Sequence, residues 1–150
     1  MKKLQLLALL FVALFSLTLT SCDKDDDEDA APTEELLTTG VWKGNALKVG
    51  EELVTRDKLF RESMGQLDLA TWTLRFNADG TGTMSVFGES SSGKWEYADG
   101  KKTIVFDKGS TDESSAKVLK LTASELHLEF EDEELEEELG SSKIQIHYIH

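Results

Sequence analysis

Thr71-Trp72-Thr73-Leu74-Arg75-Phe76-Asn77-Ala78-Asp79-Gly80-Thr81 contains a strand and the turn that ends it. Trp72, Leu74 and Phe76 fall on one face, with Thr71, Thr73 and Arg75 on the other. This period of two is what a half-buried strand requires. Asp79-Gly80 then supplies the positive φ that a tight hairpin turn demands, and Ala98-Asp99-Gly100-Lys101 repeats the signal further on. A calcium-loop reading of Asn77 and Asp79 fails, because the twelfth position of that pattern must be glutamate and Gly88 stands there.

Outward from this stretch, the same alternation recurs in eight short runs, roughly 41–49, 71–76, 82–87, 93–97, 103–107, 117–121, 125–131 and 143–149. Pro32, the one proline, lies outside all of them. Between the first two runs, Leu59, Phe60 and Met64 recur at helical spacing, with Thr55 placed to cap the start and Gly65 to end it. One short amphipathic helix is expected there, either plugging one end of the sheet or covering a ligand opening. In the last two runs, Leu126, Leu128 and Phe130 alternate with His127, Glu129 and Glu131, and Ile144, Ile146 and Tyr148 with Gln145 and His147. A hairpin centred near Glu137 sets apolar against apolar, His127 across from His147 and Glu131 across from Lys143; a slip of one residue would bury the polar set. Eight strands joined by hairpins protect their edges by closing on themselves. The expected fold is therefore all-β, an eight-stranded antiparallel up-and-down barrel with a short helix between strands 1 and 2, with a sandwich as the alternative.

Gly40-Val41-Trp42 at the head of the first run matches the Gly-x-Trp signature of lipocalins. Residues 71–81, followed by Gly93-Lys94-Trp95-Glu96-Tyr97, resemble the lipocalin-like domain of bacterial lipoproteins, and the resemblance covers about residues 36–150. It implies structural roles for Gly40 and Trp42, with the Trp42 ring closing the barrel floor against an arginine near the last strand. The arginines here are Arg56, Arg61 and Arg75, so Lys143 is the expected substitute.

The amino end has its own logic. Lys2 and Lys3 precede an apolar run from Leu4 to Leu19, and Leu19-Thr20-Ser21-Cys22 resembles a lipobox. Residues 1–21 are then a lipoprotein signal peptide that is removed, and Cys22 is the lipidated residue anchoring the protein to the membrane. The chain of 150 residues less its first 21 leaves 129, one domain's worth. Residues 22–35 read as an acidic flexible tether, since Asp23, Asp25, Asp26, Asp27, Glu28 and Asp29 crowd behind the cysteine. Residues 36–150 form the barrel domain. The acidic stretch resembles the export signal of Bacteroidota-type lipoproteins, which implies an outer-membrane, cell-surface location; a periplasm-facing one is the alternative. The formal charge of −13, or −15 once Lys2 and Lys3 are gone, repels nucleic acid. With Cys22 the only cysteine, no disulfide forms within a monomer, the expected state.

Signatures of catalysis are missing from the pattern: Cys22 is committed to lipid, the histidines cluster at the carboxyl end, and neither a phosphate loop nor a cofactor motif is present. His127, His147 and His150 with Glu129 carry the donor types that suit zinc or copper, but two solvated histidines on an outward strand face are the preferred reading, so no metal site is expected. The acidic cluster 129–138 reads as a solvated hairpin extension rather than a calcium site. Aromatic residues remain. Trp72, Leu74, Phe76, Phe87, Trp95 and Tyr97 are the candidate ligand-binding set, and Phe106 and Phe130 are further aromatics that either line a cavity or fill the core. The expected function is non-enzymatic: a lipid-anchored envelope protein binding a small apolar or amphipathic ligand, with no cofactor. The alternative is a filled barrel that meets a macromolecular partner through acidic loops.

Overall fold

Alternating strands with turn residues between them must pair with their neighbours, and the computed structural model, which describes residues 33–131, 133 and 140–150, shows how. In chain order the elements are α1 (Glu34–Leu37), β1 (Val41–Val49), β2 (Glu52–Thr55), α2 (Arg56–Glu62), a 3-10 turn (Leu69–Thr71), β3 (Thr73–Phe76), β4 (Thr81–Val86), β5 (Glu89–Ala98), a second 3-10 turn (Asp99–Lys101), β6 (Thr103–Phe106), β7 (Ser114–Leu121), β8 (Glu125–Glu131) and β9 (Lys143–Ile149). Each strand from β3 to β9 pairs antiparallel with the next, and β9 returns to pair with β1. With β1 joined to β3, the eight strands close into the expected barrel.

The ninth strand, β2, shares one edge of β1 with β3. Val41, Trp42 and Lys43 pair with Arg75, Leu74 and Thr73, whereas Ala46 to Val49 pair with Thr55 back to Glu52. Four residues with adjacent Leu53 and Val54 carry no alternation, which is why the sequence pattern passes over them. The β8–β9 register is the expected one: His127 faces His147 and Glu131 faces Lys143. The hairpin tip that joins these strands, with the acidic cluster, lies largely outside the described residues. So do residues 1–32, which include the stretch expected to be a signal peptide, Cys22 and most of the expected tether.

Burial sorts the barrel into a dense end and a looser one. Leu37, Trp42, Ile104, Leu126, Leu128 and Tyr148 are buried almost completely at the dense end, and burial raises the Tyr148 phenol well above its ordinary pKa. The floor is closed by α1, whose cap is the Thr33 hydroxyl accepting from the Leu36 N–H, and which drives Leu37 into the core. The helix expected over 55–65 is present as α2, capped by Thr55 as anticipated. It buries none of its residues, with Phe60 and Met64 largely exposed, so plugging falls to α1 instead.

Trp42 does close the floor: its Nε1 donates to the Leu37 carbonyl at 2.9 Å. Its stacking partner differs from expectation. His150, just past β9, lies 3.8 Å from the indole between ring centroids, tilted by 29°, and its Nε2 meets the Thr39 hydroxyl at 2.8 Å. Lys143 is at the opposite end of β9, 3.9 Å from Glu129. The flat imidazole takes the place that a planar guanidinium would hold, and Lys143 is too far along β9 to reach it.

Candidate functional site

Inward positions on β3, β4 and β5 form rows across the sheet, and the rows thin out toward the end opposite Trp42. One row is Phe76, Gly82 and Gly93; the next is Leu74, Met84 and Ser91. Two glycines and a serine cannot fill the space that neighbouring Phe76, Trp95, Phe106 and Phe130 leave. A cavity of about 410 Å³ results, within the range of small-molecule sites. Neither glycine can gain a side chain freely. A Cβ on Gly82 would stand 2.9 Å from the Arg75 carbonyl oxygen, and one on Gly93 would stand 2.5 Å from both oxygens of Asp107.

The aromatic floor is fixed in place. Trp95 donates from Nε1 to the carbonyls of Asn77 and Thr81, at 3.1 and 3.0 Å, so the turn carrying Asp79-Gly80 clamps the indole. Phe76 meets Trp95 edge-on at 5.2 Å, and Phe106 and Phe130 stack at 6.5 Å. The mouth opens where β6 stops at Phe106 while β4 and β5 run on to their hairpin at Phe87-Gly88. Both turn residues have positive φ, 54° and 83°, the two-residue hairpin geometry that asparagine or glycine usually supplies. Phenylalanine at the first of them is unusual.

Of the six expected ligand-binding residues, Leu74, Phe76 and Trp95 line the cavity. Trp72 and Phe87 do not. Trp72 is the residue that ends the 3-10 turn, just ahead of β3, and it packs edge-on against the exposed Phe87 at 4.8 Å. Tyr97 lies toward the dense end, edge-on to Trp95; burial, with Glu34 adding to it, pushes its hydroxyl up to about 12, and Oη finds no hydrogen-bond partner among the described residues. The lining residues that pattern reading missed include Gly82, Met84, Ser91, Gly93, Asp107 and Asp112. Their signal is the opposition of two glycines, visible only once the β4–β5 register is known.

The histidines separate. His127 and His147 lie face to face at 3.7 Å with rings within 6° of parallel, whereas His150 is held at the Trp42 floor. Parallel rings direct their in-plane lone pairs side by side rather than toward one point, and no group of three metal-ligating side chains occurs among the described residues. Glu129 is engaged by the Gln145 amide at 3.0 Å. Burial lowers both histidine pKa values; for His127 the neighbouring ring and Lys120 add to this, and for His147 Lys48 and Lys120 do, with Glu125 opposing in each case. Since folding depresses these pKa values, the folded state binds fewer protons at these two sites, so their contribution to stability is fully present above about pH 6.5 and is lost as the pH drops below it. Thermal melts between about pH 7.5 and pH 5.5 should show a decline that His127→Gln flattens; an identical decline in that variant would remove the pair as its cause.

A closed antiparallel barrel with a cavity over an aromatic floor is the geometry with which known proteins can be compared. Residues 38–128 match the family model described as the lipocalin-like domain. The chain belongs to the lipocalin-like domain family. The matched span takes in the barrel strands from β1 into β8, and the lipocalin-like barrel is then completed by β9, beyond the match. A solved structure of a DUF4847 family protein from Bacteroides vulgatus superimposes with a TM-score of 0.51 at 18% identity, covering 78% of this chain and 96% of that one. At that identity the likeness concerns the fold. Comparison with curated proteins gives no match. A lipocalin-like barrel suggests ligand binding in general.

Proposed function

We propose that this protein is a non-enzymatic, lipid-anchored binding protein of the bacterial envelope that holds a small apolar or amphipathic ligand in the looser half of its barrel. The carrying observation is the cavity over Phe76, Trp95, Phe106 and Phe130, kept open by Gly82, Ser91 and Gly93. Affinity comes from burial of the ligand's apolar body and orientation from the few polar groups at the mouth. The unfilled half favours this reading over a side-chain-filled barrel that meets a macromolecule through acidic loops. In the same reading Cys22 carries the acyl chains, and the acidic tether holds the domain off the outer membrane on the cell surface. Protease treatment of intact cells distinguishes that location from a periplasm-facing one.

Ser91→Trp tests the cavity directly. Ser91 is exposed yet points to the inner face opposite Met84, so an indole there occupies the space while sacrificing no packed contact. Nile red, a neutral apolar probe, is expected to bind the natural chain and not the variant, with Tm unchanged within about 3 °C. Equal binding to both chains sinks the proposed site. Native mass spectrometry of protein purified from its own cells should also show a retained small molecule.

A further inference from the structure

Two carboxylates stand at the cavity, and one of them is built into it. Asp107 follows the last residue of β6 and has a positive φ of 49°, a conformation that aspartate tolerates better than most residues. Its N–H donates to the Lys94 carbonyl at 2.9 Å, and its Oδ1 accepts from the Lys94 N–H at 2.7 Å, so the side chain prolongs the β5–β6 ladder past the strand's end. This places the carboxylate where a side chain of residue 93 would project, on the inner face of β5. Glycine at 93 is what makes the room. Oδ2 receives no hydrogen bond among the described residues, and Asp107 has no ion-pair partner among them. Asp112, from the loop between β6 and β7, is the second acidic group on the lining.

The cations near the cavity are turned away. Arg75 and Lys94 contribute to its wall, but strand alternation puts both side chains on the outer face: Arg75 lies between inward Leu74 and Phe76, and Lys94 between inward Gly93 and Trp95. Among the described residues, the charged side chains presented to the interior are therefore acidic, above a floor that is aromatic. An anionic head group would have to sit against Asp107 with no inward-pointing cation among the described lining residues to offset it, whereas an ammonium or hydroxyl would supply the donor that Oδ2 lacks.

We propose that the ligand is an amphipath with an apolar body and a cationic or hydrogen-bond-donating head, which Asp107 holds at the cavity mouth; this rests on the binding function proposed above. The preference then runs against fatty-acid carboxylates. It is local, and so distinct from the general attraction of an acidic protein for cations, which salt screens.

Displacement of Nile red from the purified full chain by decylamine, decanol and decanoate, matched in chain length, tests both levels separately. Decylamine is expected to displace the probe at about tenfold lower concentration than decanoate, as a charge-assisted hydrogen bond implies, with decanol between them. Asp107→Asn keeps an Oδ1 acceptor for the Lys94 N–H and tolerates the same backbone conformation, so its fold should hold, as its melting curve will show. In that variant the amine preference should shrink to about twofold or less, while Glu96→Gln, on the outer surface beside Lys108, should leave it intact. If all three compounds displace the probe equally, or if Asp107→Asn keeps the full preference, the assignment to Asp107 is wrong and the cavity stands. If Nile red never binds, the binding function itself falls.

Discussion

Alanine in place of Trp42 is expected to lower the unfolding free energy by about 3–5 kcal/mol, a large part of the 5–15 kcal/mol typical of a whole domain. The indole is fully buried at the narrow end of the barrel, in contact with the same cluster as Leu37, Leu126 and Tyr148. Removing it does three things together. It opens a void that the surrounding strands, locked in a closed ring of hydrogen bonds, cannot collapse to fill. It strips the Leu37 carbonyl of its donor, loosening the four-residue helix that seals the floor. It also leaves His150 with no ring to stack on. His150→Ala, in contrast, removes an exposed ring and should cost about 0.5–1.5 kcal/mol. Urea unfolding monitored by circular dichroism gives both values. A Trp42→Ala cost below about 1 kcal/mol would mean that the floor is not where stability resides. Since Trp42 is no part of the cavity lining, the folded fraction of that variant should still bind Nile red.

The barrel was legible in the sequence because its evidence is periodic. Alternation in 71–76, 125–131 and 143–149 assigns faces before any partner is known, and opposing Leu126, Leu128 and Phe130 to Ile144, Ile146 and Tyr148 settles their register. Closure followed from the need to bury edges. What escaped was whatever depends on irregular backbone. Trp72 reads as an inward strand residue, but Asp68 caps a 3-10 turn that displaces the start of β3 to Thr73 and turns the indole toward Phe87. β2 is too short to show a period. The Trp42 partner was sought among cations, and a terminal histidine offers a flat ring without announcing it.

The cavity was half legible for a related reason. Large aromatics such as Phe76 and Trp95 advertise themselves, but a cavity is defined by what is small, and glycine in a strand reads as a weak strand residue rather than as space. Gly82 and Gly93 become meaningful only as a directly opposed pair, which needs the hairpin register. Asp107 is harder still, because its carboxylate enters the cavity wall from beyond the end of a strand, where side-chain alternation no longer assigns a face.

Gly44 is the position where the same blindness has the largest energetic consequence. In sequence it sits mid-strand, where glycine ordinarily costs stability relative to alanine. Its φ is not positive, so backbone freedom is not the reason for it. A Cβ here would stand 2.5 Å from the Leu69 carbonyl oxygen and 3.4 Å from the Leu69 Cβ. That carbonyl has little freedom to retreat. Leu69 is fully buried, its turn is capped by the Asp68 carboxylate accepting from the Ala70 N–H at 2.9 Å, and the next stretch is tied back by the Gly44 N–H donating to the Trp72 carbonyl at 2.8 Å. Gly44→Ala should therefore cost about 2–3 kcal/mol, from overpacking together with loss or lengthening of the Gly44–Trp72 bond. Gly88→Ala provides the contrast: nothing lies within 4 Å, and only its φ of 83° resists the change, so about 1 kcal/mol is expected. Denaturant midpoints rank the two. Were Gly44→Ala the milder, the turn would have to be free to slide, and the β1 bulge between Gly44 and Ala46 could not be the fixed point from which Leu47 and Val49 are set opposite Ile146 and Ile144. Because the displaced segment carries Trp72, and through it Phe87, the same substitution should also alter tryptophan fluorescence, with the change expected at the mouth of the barrel rather than at Trp42.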